Sequence, residues 1–439
     1  MTRELSDEIH RLMPSVRSDL DRLVRIASVR GQAVRDSAYL TAALFRAAGG
    51  TVEILAVPGG APAVIATFPG PPNTPTVLLY AHHDVQPAGD KAAWNTSPFD
   101  PVEKDGRLYG RGTADDKAGI AAHLAAVRAY GGRPPVGVTV FVEGEEEVGS
   151  PTLAAFLAQH RGRLAADVIV LADGDNWGIG QPALTVGLRG LVDCRITVRT
   201  LAANVHSGAF GGVAPDALTA LCRLLATLHN DRGEVTVQGI GRGGVANVPI
   251  SDDRIRLESG MLAGVASIGH GPLSDRLWNQ PALAVLAIDS PSTAEAPNAL
   301  QASARAKVSL RIPPGSDPAD AYASLRQHVL GNVPWGVDVS IEPGQLVQPY
   351  AIDTTGAGYD AARAAFTTAW GVPPVEIGSG GSIPLVAPFA EAFPHAALLI
   401  TGLADPQSNP HAPNESLHLG DFTKACLAEA LLLRHLADG

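Results

Sequence analysis

Histidines and carboxylates follow several apolar segments of this chain, at positions that suit metal binding. The apolar run 78–81 leads directly into His82, and Asp84 follows two residues later. A continuous apolar run that begins after turn residues predicts a buried strand of a parallel sheet, and ligands bind at the carboxyl ends of such strands. His82 and Asp84 would project to the same side of an extended chain. Taken alone, this segment is explained equally well by a histidine in an ordinary strand-end loop.

Two further segments place acidic residues at the ends of predicted elements. Asp115 and Asp116 lie in a glycine-punctuated turn before a predicted helix, where they could simply be favourable charges at a helix N-terminus. The segment 143–147 holds four acids directly after an apolar run. A solvated turn is the alternative there, but repulsion at a buried strand end is costly unless a cation compensates it.

The last two segments complete a set of candidate ligands. Asp173 and Asp175 follow the apolar run 167–172, and His411 lies in a proline-rich loop. Imidazole and carboxylate groups together suit Zn²⁺ or Mn²⁺. A His, Asp, Glu, Asp and His set exceeds the three protein ligands of a catalytic site with a single zinc ion. It therefore predicts a two-metal site, in which one carboxylate bridges ions about 3.5–4 Å apart.

Two other motifs are poorer candidates. The glycine pattern at 239–244 resembles a dinucleotide-binding loop, but the β-branched residues and proline that follow are a poor helix start. Ser382 lies in the sequence Gly-Gly-Ser-Ile-Pro, which is not the turn that presents a nucleophilic serine. Nucleotide binding and serine catalysis are therefore set aside.

The composition indicates a large α/β protein that acts on small molecules. The chain has 439 residues, 46% of them hydrophobic, and a net charge of −11. This length predicts two domains, or one large domain with an insertion. Nucleic-acid binding needs clustered cations, and the Lys and Arg residues form no dense run. The three cysteines are expected to be reduced, buried thiols. We expect a cytoplasmic protein, because the N-terminal segment lacks a signal-peptide core and no apolar run reaches the length of a membrane span.

The order of predicted elements indicates one α/β sheet domain interrupted by a second domain. Apolar periodicity predicts helices at about 6–29, 36–48, 118–130, 151–160, 357–370 and 420–437, and strands at 51–57, 63–68, 76–81, 136–143, 167–172 and 396–401. The intervening part predicts strands at 190–200, 234–238, 281–287, 302–311 and 336–342, with helices at 214–229 and 317–329. That part has a β-α-β-β-α-β-like order of antiparallel strands. Residues 251–280 are expected to form a loop with a short helix.

The segments 82–87, 110–117, 144–150 and 411–415, with Asp173, resemble the signature segments of the co-catalytic zinc aminoacylase, carboxypeptidase and dipeptidase family. The resemblance covers essentially the whole chain in order and is closest to carnosinase-like dipeptidases. It implies a mixed-sheet zinc-peptidase catalytic domain at 1–188 and 347–439. It also implies an inserted α+β ferredoxin-like dimerisation or lid domain at 189–346.

Carried over by position, the resemblance assigns a role to each candidate. His82 and Asp173 would hold one metal, Glu147 and His411 the other, and Asp115 would bridge them. Asp84 would orient His82, and Glu146 would be the general base for attack by a bridging hydroxide. The three ligand carboxylates leave one net positive charge against two dications. Asp175 remains an alternative ligand, although Asp173 directly ends the apolar run.

The resemblance also implies a role for the inserted domain. His206, supplied by the partner subunit of a homodimer, would donate to the reaction's oxyanion. Arg311 and Asn298 would approach the substrate, and Gly381 and Ser382 would cradle its carboxylate. A strand-edge arginine and an ordinary turn are the simpler interpretations of Arg311 and of the 380–382 segment.

The predicted function is hydrolysis of the amide bond of a dipeptide or similar small peptide with a free carboxylate, using two divalent ions. Zinc is the first expectation, and manganese or cobalt are alternatives. Gly378 and Ser379 replace an Arg-Glu pair common in the family's dipeptidases, so specificity stays open. The alternatives are an N-acyl-amino-acid deacylase of the same family and a non-catalytic dimeric binding module. The presence of Glu146 argues against the binding module.

Overall fold

The chain folds into two compact units. The computed structural model describes residues 2–244, 246, 248–381, 383 and 385–439. The first unit comprises Met1–Val186, Ile352–Ile377 and Pro384–Gly439, and the second comprises Gly187–Ala351 and Gly378–Ile383. The short segment Gly378–Ile383, which the sequence assigns to the second part of the catalytic domain, therefore clusters with the second unit. Among the described residues, no helix is both long and apolar enough to cross a membrane.

The helices of the first unit follow the predicted apolar periodicity. In the first helix, residues at three- and four-residue steps are fully buried, among them Ile9, Val16 and Leu20. The helix over 357–370 has the predicted bounds, and the other predicted helices differ at their ends by a few residues. The predicted helices are α1 (Thr2–Val24), α2 (Val34–Ala47), α3 (Lys117–Ala129), α4 (Leu153–Leu164), α10 (Ala357–Trp370) and α12 (Leu419–Asp438). The short helix α11 (Val386–Ala392) was not predicted.

The strands of the first unit form a mixed sheet. They are β1 (Thr51–Leu55), β2 (Ala63–Phe68), β3 (Thr76–His82), β6 (Gly137–Glu143), β7 (Val168–Asp175), β8 (Ala183–Leu188) and β17 (Ala397–Ala404), in the order β1-β2-β6-β3-β7-β17-β8. Strand β3 is buried and runs parallel to both β6 and β7, which confirms the prediction for 76–81. Three other pairings are antiparallel: β1 pairs with β2, β2 with β6, and β8 with β17. The sheet is therefore mixed, as the predicted fold requires.

Several short strands were not predicted. β15 (Tyr350–Ala351) and β16 (Val375–Ser379) pair with β8, while β4 (Val102–Lys104), β5 (Arg107–Tyr109) and β18 (Ser416–His418) form a separate small sheet. Elements of two to five residues carry too little periodicity to be recognised without their partners.

Helices and aromatic side chains enclose the sheet of the first unit. Helices α1, α3, α10 and α12 pack on one another, and α4 packs on α11. The Tyr80 ring of β3 makes edge contacts with Phe141 of β6 and Phe389 of α11, both at 5.6 Å between ring centroids. Such contacts contribute about 0.5–1.5 kcal/mol each beyond their buried area. They hold in place the strands whose ends carry the candidate ligands.

The second unit is an α+β sandwich with the predicted strand and helix order. Its main elements are β9 (Gly190–Arg199), α6 (Ala217–Ala226), β11 (Ala282–Asp289), β13 (Ser303–Ile312), α9 (Pro318–Gly331) and β14 (Asp338–Val347). The strands are antiparallel in the order β11-β13-β9-β14, which is the ferredoxin-like arrangement. Smaller elements are β10 (Val205–His206), α5 (Ser207–Phe210), α7 (Asp252–Ser259), α8 (Leu273–Trp278) and β12 (Ala299–Leu300).

Three details of the second unit differ from expectation. The predicted strand 234–238 is wrong, because Val235 makes only an isolated bridge to His229. The segment 251–280 holds two short helices, α7 and α8, rather than one. Of the three cysteines, all of them free, Cys222 is exposed, so the expectation that all are buried is wrong. Its position on the outer face of α6 is not visible from composition alone.

Candidate metal and catalytic site

The candidate ligands of the first unit lie at the carboxyl ends of adjacent parallel strands. His82 is the last residue of β3, and it pairs in register with Glu143, the last residue of β6. Asp173 is near the end of β7 on the other side of β3. Because these strands are parallel neighbours, their ends meet at one edge of the sheet. The fold thus brings together residues that are far apart in sequence.

The His82 imidazole is oriented by Asp84 and faces two carboxylates. Its Nδ1 donates to the Asp84 carbonyl oxygen at 3.1 Å and lies 3.4 Å from the Asp84 carboxylate. This bond assigns the proton to Nδ1 and leaves the Nε2 lone pair available. Nε2 lies 3.0 Å from Asp115 Oδ1 and 4.0 Å from Asp173 Oδ1. The arrangement suits a metal ligand.

A second group of ligands forms around His411. Its Nε2 lies 2.9 Å from Asp115 Oδ2 and 3.1 Å from Glu147 Oε2. Asp115 therefore faces His82 with one carboxylate oxygen and His411 with the other. That position, between two histidines, is the one a bridging carboxylate occupies in a two-metal site.

Two groups of residues can each hold one ion. The ligand atoms of His82, Glu146 and Asp173 lie within 4.8 Å of one another, as do those of Asp115, Glu147 and His411. Glu146, to which the resemblance assigns proton transfer, thus also lies within reach of an ion held by His82 and Asp173. Asp175, the alternative ligand, is exposed and belongs to neither group.

The electrostatics of the site favour a bound cation. Burial raises the pKa of Asp173 well above its usual value, and the charge of Glu146 adds to this effect. Burial also raises the pKa of Glu146 to about 7. Hydrogen bonds to Asp115 and Glu147 raise the pKa of His411 to about 10. The carboxylates of Asp173 and Glu146 are thus buried beside other carboxylates, and divalent ions would offset both the burial and the repulsion. The donor set therefore fits two borderline-hard dications.

The Asp84 carboxylate does more than orient His82. It accepts hydrogen bonds from the backbone N–H groups of Glu146, at 3.2 Å, and Glu147, at 3.0 Å. Its carboxylate therefore fixes the turn after β6, while its carbonyl oxygen fixes the imidazole. Asp84 links the histidine of one group to a glutamate of each group.

Residues next to the turn after β6 hold Glu147 in place and require a glycine at position 144. Gln86 donates to Glu147 Oε1 from its backbone N–H, at 2.9 Å, and to Oε2 from its side chain, at 2.8 Å. A Cβ atom at Gly144 would lie 2.7 Å from the carbonyl oxygen of Pro62. Only glycine fits that approach, which lets the chain turn directly after the strand.

Glu415 is a structural residue of the site whose role the sequence did not reveal. It is fully buried and pairs with Arg111, with Nη1 2.6 Å from Oε2. It also accepts from the backbone N–H groups of Gly112 at 3.0 Å, Ala114 at 3.0 Å and Asp115 at 3.2 Å. Glu415 thus ties the turn that carries Asp115 to the loop that carries His411. The signal for this role in the sequence was its position four residues after the candidate ligand His411.

The loop that carries His411 is held at both ends. Arg107 pairs with Asp405 at 2.9 Å and donates to the carbonyl oxygen of Ser416 at 3.1 Å. Within the loop, His411 has a left-handed backbone with φ of 62°. A residue other than glycine pays about 1–2 kcal/mol for that conformation, and the conformation persists where the surroundings fix it.

His83, the neighbour of the candidate ligand His82, does not face the site. It is buried, and its Nε2 donates to the Pro62 carbonyl at 2.8 Å.

His206 and Asn298 lie together in the second unit. His206 belongs to a two-stranded ribbon in which it pairs with Ala299, and Asn298 directly precedes that strand. The Ser207 N–H donates to the Asn298 carbonyl at 3.0 Å. The exposed His206 side chain accepts at Nδ1 from the N–H groups of Gly208, at 3.0 Å, and Ala209, at 3.3 Å. Nδ1 is therefore unprotonated in the neutral ring, and Nε2 carries a proton that it can donate.

Arg311 lies on β13 of the second unit near a second arginine, Arg189. Burial and the charge of Arg311 lower the pKa of Arg189 to about 10. Arg189 also donates to the Gly380 carbonyl at 3.1 Å, beside Gly381. Two neighbouring guanidinium groups suit a carboxylate. The predicted residue Ser382 lies outside the described residues.

Comparison with known proteins identifies relatives over most of the chain. A sequence profile described as peptidase family M20/M25/M40 matches residues 78–435. The cysteinylglycine-S-conjugate dipeptidase of Corynebacterium striatum is 33% identical, over 82% of this chain and 81% of that protein. The human Beta-Ala-His dipeptidase is 27% identical, over 86% of this chain and 78% of that protein.

Solved structures share the fold over the whole chain. The dipeptidase Dug1p of Saccharomyces cerevisiae matches with a TM-score of 0.82 and 23% identity, covering 100% of this chain and 99% of that chain. Human carnosine dipeptidase 1 matches with a TM-score of 0.83 and 23% identity, with the same coverage of both chains. At that identity the likeness concerns the fold.

Proposed function

Because the chain belongs to peptidase family M20/M25/M40, we propose that it is a metal-dependent dipeptidase. Its substrates would be dipeptides or similar small peptides with a free carboxylate. The observation that carries this proposal is the position of Asp115 between His82 and His411, with one carboxylate oxygen directed to each ring. Relatives named as dipeptidases support the same reaction class.

The proposed cofactors are two divalent ions per chain, zinc first, with manganese or cobalt as alternatives. His82 and Asp173 would hold one, Glu147 and His411 the other, and Asp115 would bridge them. Mixed imidazole and carboxylate donors support this choice. When bound, such a pair would lower the pKa of a shared water and polarise the scissile carbonyl.

Glu146 is the proposed general base and acid. It adjoins Glu147 in the turn after β6, and its carboxylate lies within 4.8 Å of ligand atoms of His82 and Asp173. Its carboxylate would accept the proton of the attacking water and deliver it to the leaving amine. Asp84 would hold the backbone of this turn while the proton moves.

His206 is the proposed donor to the oxyanion, acting on the partner subunit of a homodimer. The N–H groups that occupy its Nδ1 support this role, because they direct the proton to Nε2. The proposed dimer would form through the inserted domain at 189–346. The edge strand β11 supports this, because Val285, Leu286 and Ile288 are exposed along it. An exposed apolar edge strand tends to pair with another chain.

The proposed substrate contacts are Arg311 and Asn298, with Gly381 and Ser382 around the substrate carboxylate. The nearby Arg189 supports carboxylate recognition, because two guanidinium groups favour an anion between or beside them. We also propose a cytoplasmic enzyme without nucleic-acid or membrane partners. The net charge of −11 and the three free cysteines support this assignment.

A substrate panel tests the proposal. Dipeptides and N-acyl amino acids would be assayed with Zn²⁺, Mn²⁺, Co²⁺ or a chelator, and amino-acid release would be measured. Metal-dependent release from dipeptides is the expected result. Release only from N-acyl amino acids would make the chain a deacylase of the same family. No release from either set, with two metals bound per chain, would favour a binding module.

A further inference from the structure

The second unit contains a cavity of about 340 Å³ that the proposed reaction does not use. All of its lining residues belong to 229–283, so it is built entirely within that unit. Its volume falls within the range of about 300–1,000 Å³ typical of small-molecule sites.

The walls of the cavity are mainly apolar. Val237 and Leu283 are buried residues of the second unit's core and form part of the lining. Ile255 of α7 and Leu277 of α8 also line it, together with Met261 from the segment between these helices. Apolar contact on several sides favours a ligand with an apolar body.

One lining side chain, Arg276, offers an unused buried donor. Its Nη1 donates to the Ile268 carbonyl at 2.7 Å, but its Nε is buried and has no partner among the described residues. A buried donor without a partner is unfavourable, because it has lost its hydrogen bond to water. A carboxylate is the acceptor that best matches a guanidinium group, because it takes two parallel hydrogen bonds.

The charge around the cavity is also positive. Arg242 and Arg276 line it together with one carboxylate, Glu234, which accepts a hydrogen bond from Asn230 at 2.8 Å. Asp252 lies near Arg276, but its carboxylate is bonded to Arg256 at 2.5 Å. The electrostatics therefore favour an anionic group over a cationic one.

The mouth of the cavity is apolar and open to solvent. Ile268 lines the cavity and is nevertheless 67% exposed, and Leu262, which follows the lining residue Met261 in sequence, is 76% exposed. Exposed apolar side chains at the rim of a cavity are typical of a binding site. They would contact the part of a ligand that extends from the cavity.

We propose that this cavity is a binding site for an amphipathic carboxylic acid. The carboxylate accepts hydrogen bonds from Arg276, and the apolar body lies along Val237, Leu277 and Leu283. This inference is independent of the dipeptidase proposal, because the metal-site candidates belong to the first unit.

Calorimetric titration of the metal-loaded, full-length protein with octanoate tests the site. We expect one octanoate per chain at this cavity, with a dissociation constant on the order of 0.1–1 mM. Octylamine, which has the same chain length and the opposite charge, should bind at least about tenfold more weakly. Arg276→Leu should weaken octanoate binding by at least about tenfold, since it removes the charged donor.

A cavity-filling variant and a matched control complete the test. Ala282→Phe places a ring at a lining position and should also abolish octanoate binding, with folding checked by thermal unfolding. Arg254→Leu removes an arginine of α7 that pairs with Glu258 at 2.7 Å and does not line the cavity, so it should leave binding unchanged. Absence of binding to the wild-type protein would overturn the proposal. So would binding that neither Arg276→Leu nor Ala282→Phe weakens, because that acid would lie elsewhere, for example at the metal-site residues.

Discussion

The metal-site candidates of the first unit and the substrate-contact candidates of the second unit are held in different ways. His82 and Asp173 come from the ends of adjacent buried strands, and Asp84 and Glu415 fix the surrounding turns through backbone N–H groups. His206, by contrast, is exposed on a ribbon of two-residue strands. The first unit therefore places its charges accurately, whereas the second presents the His206 side chain on its surface.

Because of this difference, substitutions in the two units should affect different measured properties. In the first unit, a change to a ligand or to its anchors should alter metal content or the stability of the fold. In the second unit, a change to a candidate contact should alter turnover or substrate binding with the metals retained. A variant that violates this division would show that the two sets of residues are not functionally distinct.

The largest effect is expected from Glu146→Gln. The amide cannot accept a proton, so kcat should fall by about 10²–10⁴-fold. Two metals per chain should remain, because the five proposed ligands are unchanged. Steady-state kinetics and elemental analysis of the same preparation measure both quantities. Turnover close to that of the wild type would reject Glu146 as the general base.

A similarly large effect on stability is expected from Glu415→Gln. This change leaves the Arg111 charge buried without its carboxylate and should cost about 3–5 kcal/mol of unfolding free energy. Glu342→Gln is the matched control, because its pair with Arg195 is 63% and 56% exposed and should contribute less than about 1 kcal/mol. Denaturant unfolding of both variants measures the difference. Equal losses would show that Glu415 is not an anchor of the site.

His206→Ala should reduce kcat by about 10²–10³-fold, the usual effect of removing one oxyanion donor. Metal content should not change, because His206 belongs to the second unit. Mixing this variant with Glu146→Gln should restore activity, since each hybrid dimer would contain one site with both residues intact. If verified hybrids stay inactive, the proposal that His206 acts on the partner subunit fails.

Asp84→Asn is expected to have the smallest effect, a loss of about 10–100-fold in metal affinity. The asparagine keeps the backbone carbonyl oxygen that accepts from His82. It lacks one of the two carboxylate oxygens that accept from the backbone N–H groups of Glu146 and Glu147. Competition with a chromogenic chelator measures the affinity. Asp105→Asn, in an exposed turn of the first unit, is a suitable control. An affinity equal to that of the control would show that Asp84 does not support the ligands.

The amino-acid sequence by itself determined the candidate ligands and the two-domain fold class. Apolar runs ending in His82 and Asp173 indicated strand ends, because burial requires apolar side chains and ligand binding requires polar ones directly after them. The β-α-β-β-α-β order of the second unit was likewise readable from alternating periodicities and is confirmed. Local sequence patterns were enough to predict a feature wherever that feature depended on a single helix or strand.

Only the tertiary structure decided which candidates meet and what holds them. It brings His411 to within 2.9 Å of Asp115, places Glu415 under the turn that carries Asp115, and leaves Asp175 outside the cluster. It also shows Val235 in an isolated bridge rather than in the predicted strand. These outcomes depend on pairings between segments up to about 300 residues apart. The His82 ligand position was therefore visible in one short segment, together with the nearby Asp84 carbonyl that orients its ring. The rest of the site exists only when strands, turns and loops pack together, because the hydrogen bonds of the Asp84 and Glu415 carboxylates reach turns that are distant in sequence.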